Sequence, residues 1–449
     1  MASQPRRTMF SIKKSPWEIP SNQGPSLPQH ELVDEEICPG YNPASFYPAK
    51  PGEVLIKKFQ LLNKIGWGSQ STVWLARNIS SNHQQQSRNK WQPEQFVAVK
   101  ITNNNNTEET QHEKEIEYHI AHLNPEHRGH LILRTCLDAF DLIGPKGKHM
   151  CLVYEPMREP LWIFRKRFIS RQIPLPIAKT YIFFLLVGLD YLHSECKIVH
   201  TGDTLFPFYL RITSTNTLLD LKLDNILMSF ESDEILTSFV KKKLQMGCKL
   251  DEKSGQAIYR CNNDFGPLNG KQFTNLIPKI TDFGLSTRLD GTNKLSSYPI
   301  QPDYYRAPEV ILGCGWDEKA DIWNFGVLLW NILGGKELFQ QVHAPDGLYD
   351  AKSHLAEMIA LLGAPPTALI ARSKAVSGDI WPQHVTSKTG EFYHNELIPS
   401  RKLESTIPFL EERERDAFLS FASQMLSWNP DQRKTARELI DHPFLKLGD

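Results

Sequence analysis

The stretch "IVHTGDTLFPFYLRITSTNTLLDLKLDNIL" (198–227) decides how the rest of the sequence is interpreted. Its last part carries an acid, a base and an amide in the order D-x-K-x-x-N, at Asp220, Lys222 and Asn225. Such a set can accept a proton, steady an anion and hold a divalent cation. The segment "GDTLFPFYLRITSTNTLL" (202–219) separates these residues from "IVHT", so one short element has been split in two.

Two further motifs follow at a fixed order along the chain, "ITDFGLS" (280–286) and "YYRAPEV" (304–310). Asp282 comes at the end of an apolar, strand-like run, where its carboxylate could bind Mg²⁺. Gly284 permits the turn that directs this carboxylate. The succession of D-x-K-x-x-N, Asp-Phe-Gly and Ala-Pro-Glu is far more specific than any one of these motifs alone.

A glycine-rich turn, "GWGSQSTV" (66–73), lies nearer the N-terminus between two strand-like runs. Backbone N–H groups of such a turn can approach phosphates because no Cβ atoms obstruct them. Lys100, in "VAVK" on the next predicted strand, can neutralise the same phosphates. The turn and the lysine together predict a nucleotide-binding hairpin.

A carboxylate on the following helix, predicted from about Gln111 to Leu123, is expected to hold Lys100 in its working position. We favour Glu115 in "HEKEIEYHI". Glu113 and Glu117 are equally available on the same helix, so the choice among the three stays open at this point.

Composition excludes several classes of function. The chain has 449 residues with 51 basic and 51 acidic side chains, which argues against a nucleic-acid binder that works through overall charge. Its seven cysteines form no CxxC pair, so neither a zinc site nor a disulfide framework is indicated. The longest apolar runs (181–189 and 325–333) are shorter than the roughly 20 residues of a membrane span and are predicted to be buried helices.

Together the motifs resemble the eukaryotic protein kinase superfamily, from about residue 59 to 445. Three details are similar to the SR-protein kinase family, especially its fungal-type members. "HT" stands where most kinases have His-Arg, a long insert (231–276) precedes Asp-Phe-Gly, and the runs "GPKGKHMCLVYEP" (144–156) and "IQPDYYRAPEVILGCGW" (300–316) are alike. The resemblance implies an ATP- and Mg²⁺-dependent serine/threonine kinase.

The implied fold is α+β and bilobal, with a small β-rich N-lobe (about 51–157) and a larger helical C-lobe (about 158–445). The proline-rich residues 1–50 are predicted to form a flexible N-terminal arm. The insert 202–219 would lie within the catalytic loop. Glu309 and Arg433 are expected to form a buried ion pair that holds the larger lobe together.

The resemblance also assigns roles to individual residues. Asp220 would accept the proton of the substrate hydroxyl, Lys222 would steady the transferred phosphoryl group, and Asn225 and Asp282 would bind Mg²⁺. The backbone of Glu155 and Met157 would contact adenine, beside Tyr154. The full set of expected ATP-binding residues is Ile65, Gly66, Gly68, Ser69, Val73, Ala98, Lys100, Glu115, Glu155 and Met157.

The expected partner is a protein substrate, of the Arg/Ser-rich kind found in splicing factors. By the same resemblance the enzyme is expected to be a monomer in the cytoplasm, the nucleus or both, without direct contact to nucleic acid or membrane. One departure weakens the substrate expectation. Ser353 and Ala360 stand where family members that grip Arg-rich peptides have acids, and each lost charge is worth about 1 kcal/mol toward a guanidinium.

Three interpretations of the insert 202–219 stay open. It could be a folded loop, since closing a loop of this length costs little entropy. It could mark a pseudokinase or scaffold that has lost catalysis, although Lys100, Asp220 and Asp282 are intact. The favoured hypothesis is a retained intron: eighteen codons are 54 bases, and Gly202 and Leu219 could be encoded with splice-site bases. Sequencing the mature transcript tests this hypothesis.

Overall fold

The computed structural model describes residues 14–19, 24–80, 94–200, 221–242, 244–252, 254–268, 275–289, 300–376 and 391–447. The chain divides into two compact units. Unit 1 comprises residues 1–111, 136–158 and 230–275, and unit 2 comprises residues 112–135, 159–229 and 276–449. An α+β fold results, with the larger sheet in unit 1 and most of the helices in unit 2.

Unit 1 is built on a six-stranded antiparallel sheet with the order β1-β2-β3-β4-β6-β5. The β-branched and aromatic residues of these strands favour the extended backbone. The strands are β1 (Val54–Leu55), β2 (Phe59–Trp67), β3 (Ser71–Asn78), β4 (Phe96–Thr102), β5 (Asp138–Gly144) and β6 (Gly147–Tyr154). The predicted hairpin around the glycine-rich turn is present as β2 and β3.

One face of this sheet forms the main apolar core of unit 1. Trp74, Val99 and Val153 point into it from three strands, and each is at most 2% exposed. Met246 and Tyr259, from the segment predicted as the long insert, complete the same core. Residues distant in sequence therefore cover the sheet.

The described part of the N-terminal segment packs onto unit 1, which differs from the flexible arm predicted for residues 1–50. Leu27 and Val33 are buried, and the Leu27 N–H donates to the Cys248 carbonyl at 2.9 Å. The ammonium group of Lys64, 1% exposed, is ion-paired with Glu35 and lies 3.1 Å from Asp34. Acidic residues of the segment thus neutralise a buried lysine of β2, a requirement that proline content does not reveal.

The insert 231–276 was predicted inside the larger lobe, but its described residues belong to unit 1. It contains α4 (Asp233–Lys242), β9 (Cys248–Leu250) and β10 (Ala257–Tyr259), none of which the sequence reading identified. Leu236, Phe239 and Val240 of α4 pack against Leu62 and Leu75 of the hairpin. Burial of this apolar helix face explains why the segment joins the sheet.

Helix α1 (Thr107–Leu123), which follows β4, begins earlier than predicted. Unit 2 has small two-stranded pairings and many helices. Its strands are β7 (Ile198–Val199), β8 (Ile226–Met228), β11 (Pro278–Ile280) and β12 (Thr287–Arg288). Its further helices are α2 (Leu161–Phe164), α3 (Leu175–Asp190), α5 (Pro308–Ile311), α6 (Lys319–Gly334), α7 (Ala351–Leu362), α8 (Thr367–Val376), α9 (Glu412–Ser423) and α10 (Ala436–Ile440).

Helix α6 forms the centre of unit 2. Every residue from 320 to 333 is buried, and Gly335 ends the helix in the left-handed conformation, φ +66°, as the predicted glycine cap requires. Helix α3 continues in a π-turn to Cys196, and these 22 residues are long and apolar enough to cross a membrane. Most of this segment is buried inside the protein (67%), which is typical of a core helix.

Candidate functional site

The glycine-rich hairpin and the strand lysine meet in one row of the unit 1 sheet. Gly66 pairs with Val73 on the neighbouring strand, and Val73 pairs with Lys100 on the next. Directly paired residues share a face because side chains alternate along each strand. A Cβ at Gly66 would lie 3.3 Å from the Val73 side chain, so glycine keeps this row close-packed.

An apolar surface lies beside this row on the same face. Ala98, Leu152 and Tyr154 are its buried members, and Ile65 and Val73 pack against them half-buried. The pairing of Ala98 with Tyr154 and of Lys100 with Leu152 fixes the register. Three residues expected to bind ATP, Ile65, Val73 and Ala98, therefore form one surface suited to a flat apolar ring.

The tip of the hairpin is anchored by asparagines that the sequence reading did not identify. Asn103 Nδ2 donates to the Ser69 carbonyl at 3.4 Å, and the Asn103 N–H donates to the Gln70 carbonyl at 2.8 Å. Asn106 Nδ2 donates to the Gln70 side chain at 2.6 Å. The turn itself closes with the Gly68 N–H donating to the Ser71 carbonyl at 2.8 Å. The "NNNN" run (103–106) directly after β4 is the sequence feature that could have indicated this anchor of the hairpin tip.

The segment after β6 is the expected adenine-contacting backbone. Glu155 is half-buried and Met157 is 5% exposed. Both lie in unit 1 next to Tyr154, which is 3% exposed. The structure thus places these residues at the edge of the apolar surface formed by Ala98, Leu152 and Tyr154.

Helix α1 carries the three glutamates among which the sequence leaves the choice open. Glu115 is exposed, whereas Glu113 and Glu117 are 5% and 0% exposed. These two residues share the inner face with Ile116 and Ile120, as helical spacing requires. Glu113 lies beside the Asp-Phe-Gly turn, with Cβ and Cδ 3.9 Å from the position of a Cβ at Gly284. Which of the three glutamates holds Lys100 stays a prediction.

The two expected metal ligands are brought together in unit 2 by strand pairing. β8 and β11 are antiparallel, with Ile226 opposite Ile280. The residue before Ile226 is Asn225, whose carbonyl accepts from the Thr281 N–H at 2.9 Å and the Thr281 hydroxyl at 3.2 Å. Asp282 follows Thr281 directly, so both expected metal ligands lie at the same end of the β8–β11 pairing.

Asp282 has two features of a cation ligand. Its backbone is left-handed, with φ +67°, which aspartate tolerates better than most residues. Its Oδ1 is buried and has no hydrogen-bond partner among the described residues. A buried carboxylate oxygen without a partner is costly. A divalent cation would satisfy it, so the residues present fit Mg²⁺.

The catalytic loop is described only in part. Asp220, the expected proton acceptor, lies outside the described residues. Lys222 precedes a short turn, Leu223–Asn225, in which its carbonyl accepts from the Asn225 N–H at 2.9 Å. Lys222 is half-buried. The structure therefore shows the lysine and the amide of the motif on one ordered turn.

His200, before the insert, is held by the central helix. Asp321 of α6 accepts from the His200 N–H at 2.8 Å and from His193 Nε2 at 2.9 Å. His200 Nε2 donates to the Thr281 carbonyl at 3.1 Å, which links the loop to the Asp-Phe-Gly turn. Complete burial lowers the pKa of His200, so its neutral form is favoured. His200 is thus a support for the site.

The segment around Ala-Pro-Glu is ordered by its own side chains. Gln301 Nε2 donates to the Ala320 carbonyl at 2.9 Å, and its Oε1 accepts from the Ala307 N–H at 2.7 Å. Tyr305 donates to Asn331 at 2.8 Å. The pKa of Tyr305 is raised, first by burial and then by the charges of Glu337 and Asp224.

A protein kinase domain family model matches residues 217–445. Among curated proteins, a serine/threonine protein kinase of Aspergillus fumigatus is 31% identical over 447 residues, covering 97% of both chains. The serine/threonine-protein kinase SRPK of Physarum polycephalum is 29% identical, covering 92% of this chain and 91% of that one. SRSF protein kinase 3 of Mus musculus is 22% identical, covering 95% and 94%.

A crystal structure of a kinase domain, 22% identical, superposes with a TM-score of 0.58 over 90% of this chain and all of that one. This likeness establishes the kinase-domain fold. The family match and the near full-length relatives agree with the succession of motifs. The chain belongs to the protein kinase family and is a serine/threonine protein kinase similar to the SR-protein kinases.

Proposed function

We propose that this kinase transfers the γ-phosphoryl group of ATP, with Mg²⁺, to serine or threonine hydroxyls of a protein. The observation that carries the proposal is the buried Oδ1 of Asp282, which has no hydrogen-bond partner among the described residues and follows directly on Thr281, the residue bonded to Asn225. When bound, Mg²⁺ neutralises charge that develops on the phosphate oxygens. Asp220 would take the hydroxyl proton, and Lys222 would stabilise the phosphoryl group.

For the substrate, we propose serine-containing segments rich in arginine, of the kind found in splicing factors. Support comes from the similarity to proteins named SRPK and SRSF protein kinase 3. Helix α7 offers little direct attraction. Ser353 donates to Asp350, which caps the helix, and the buried Glu357 is paired with Arg401. The affinity for Arg-Ser repeats is therefore expected to be low, and activity in the cytoplasm and the nucleus is part of the same proposal.

The experiment is transfer of radiolabelled phosphate from ATP with the full chain and with a variant lacking 202–219. An Arg-Ser repeat peptide is compared with a Lys-Ser peptide of equal length and charge. Transfer by either form, faster for the Arg-Ser peptide, is the expected result. Transfer to neither peptide nor to a general basic protein by either form would contradict the proposal.

A second candidate, a catalytically impaired scaffold, is favoured by one observation. Residues 202–219 separate His200 from Asp220, and the family match begins only at residue 217. In that case, ATP would be bound without transfer by the full chain, while deletion of 202–219 would restore transfer. Persistence of the 54 bases in abundant mature message would eliminate the retained-intron explanation.

A further inference from the structure

A buried ion pair joins the segment after the adenine-contacting backbone to the insert of unit 1. Arg158 Nε and Nη2 donate to the two carboxylate oxygens of Glu231 at 2.7 and 2.8 Å. The side chains are 0% and 1% exposed. Two parallel charge-assisted bonds fix both the distance and the angle between the groups.

The pair gathers both ends of the insert at one point. Phe230 lies under the Arg158 guanidinium, 5.7 Å from it, and packs edge-on against Phe265. The Glu231 carbonyl accepts from Asn275 Nδ2 at 3.4 Å, at the far end of the same insert. Arg158 is therefore held by residues at the start of the insert, and Glu231 is held in turn by a residue at its end.

Arg158 directly follows Met157, so its ion pair with Glu231 can restrict the backbone that is expected to contact the nucleotide. Strand β6 fixes the start of the adenine-contacting backbone at Tyr154. The pair with Glu231 fixes its end, three residues beyond Glu155. A backbone that must present polar groups to a flat ring binds best when both ends are anchored, because less ordering is needed on binding.

We propose that Arg158 and Glu231 are positioning residues through which the insert sets the affinity for the adenine nucleotide. This inference rests on the proposed use of ATP. Neither side chain is required to touch the nucleotide. They act through the backbone of residues 155–157, whose conformation they restrict.

The test is the dissociation constant for ADP, measured by titration calorimetry on the full chain. Glu231→Gln keeps the shape but removes the charge, and it is expected to weaken ADP binding about tenfold or more. The KM for ATP should rise by a similar factor while kcat at saturating ATP stays within twofold. Arg158→Lys, which retains the charge but cannot form two parallel bonds, should be intermediate.

The matched control is Glu36→Gln, which breaks the largely buried pair (2.8 Å; side chains 4% and 10% exposed) between Lys249 of the insert and Glu36 of the N-terminal segment. It should lower the melting temperature as Glu231→Gln does but leave ADP binding within twofold. If Glu231→Gln does not fold, Glu231→Asp, which draws the carboxylate back by one methylene, carries the same expectation.

The outcomes separate this inference from the proposed function. If the unaltered chain binds no ADP, the proposed use of ATP is wrong. If it binds ADP and the folded Glu231 and Arg158 variants bind it equally well, the pair only stabilises the fold and the inference is overturned.

Discussion

Two buried arginine–glutamate pairs are both joined by two parallel hydrogen bonds, but they have different relations to the sequence. Arg433 of unit 2 donates to both oxygens of Glu309 at 2.6 Å, and both side chains are fully buried. Arg158 and Glu231 of unit 1 are equally enclosed. The first pair, predicted from the superfamily motifs, is confirmed. The second depends on an insert particular to this type of chain and was not predicted.

The difference shows what each pair can influence. All three guanidinium nitrogens of Arg433 are bonded, two to Glu309 and the third to the Ser427 carbonyl. That pair is enclosed by the helices of unit 2. Arg158 instead directly follows Met157, so its ion pair with Glu231 restricts the backbone segment that is expected to contact adenine. The same chemistry therefore supports the fold in one unit and a site in the other.

The largest expected effect comes from breaking the unit 2 pair. Glu309→Ala leaves the Arg433 guanidinium buried without its carboxylate, which should lower the free energy of unfolding by about 3–5 kcal/mol. Urea denaturation followed by tryptophan fluorescence measures it. ADP binding by the remaining folded protein should stay within twofold, unlike Glu231→Gln. Lys434→Ala, at the exposed neighbouring position, should change stability by about 0.5 kcal/mol or less. A loss of unfolding free energy below about 1 kcal/mol for Glu309→Ala would show that the Glu309–Arg433 pair does not support the fold as described.

Asp282, whose Oδ1 has no hydrogen-bond partner in the described part of the chain, should behave in the opposite way. Asp282→Asn removes the charge at an unsatisfied oxygen but tolerates the left-handed backbone, so stability should be equal or higher. Phosphate transfer should fall by roughly 100- to 1000-fold, the scale for losing one electrostatic group at the transition state. The assay uses whichever form of the chain, with or without 202–219, is active. Asp346→Asn, on an exposed turn, is the control. A clear loss of stability would show that Asp282 supports the fold.

A buried histidine extends the comparison to pH. His354 is completely buried, and burial first, then the charges of Arg306 and His343, hold its pKa well below the usual value. Above pH 6.5 it is neutral in both states. Below that, only the unfolded chain binds the proton, so stability should fall by up to about 1.4 kcal/mol per pH unit.

His354→Gln should flatten this dependence between pH 6.5 and 5, whatever its effect on stability at pH 7.5. His30→Gln, at an exposed position, should leave the slope as it is. Parallel urea series at several pH values measure the slope. An unchanged slope in His354→Gln would assign the acid sensitivity to other groups.

The smallest effect on stability is expected at the exposed cap of helix α10, which Thr435 and the carboxylate of Glu438 form together. Thr435 caps α10, and Glu438 Oε2 accepts from the Thr435 N–H at 2.8 Å. This cap and Lys434 lower the pKa of Glu438 to about 2. Thr435→Ala should lower the free energy of unfolding by about 1 kcal/mol, and Thr435→Ser should retain most of it. A loss as large as that of Glu309→Ala would contradict the role of burial.

Features set by local sequence were predictable. The hairpin, Lys100 and the helices around 319–334 and 351–362 follow from alternation, glycine punctuation and helical spacing, so they could be located without long-range information. That Asn225 and Asp282 lie near each other could also be inferred, because their motifs follow one another in a fixed order along the chain.

Long-range features were not predictable in the same way. The carboxylate partner of Lys100 stays a prediction, because Ile116 and Ile120 mark the inner face of α1 but do not select among its glutamates. The packing of residues 24–50 and of the insert onto unit 1 depends on contacts such as Lys64 with Glu35, whose partners are ordinary charged residues in the sequence. Nothing local distinguishes them from solvent-exposed charges.

The composite origin of unit 1 has a consequence for biosynthesis. Its sheet is translated first, but Met246 and Tyr259, which cover one face, emerge almost two hundred residues after β2. At about 5–20 residues per second, the roughly 100 residues between the end of β6 at Tyr154 and Tyr259 take on the order of five to twenty seconds to translate, and during that time the completed sheet is uncovered. Throughout that interval its apolar surface is open to solvent and to other nascent chains, so this kinase is expected to depend on chaperones more than its final stability would suggest.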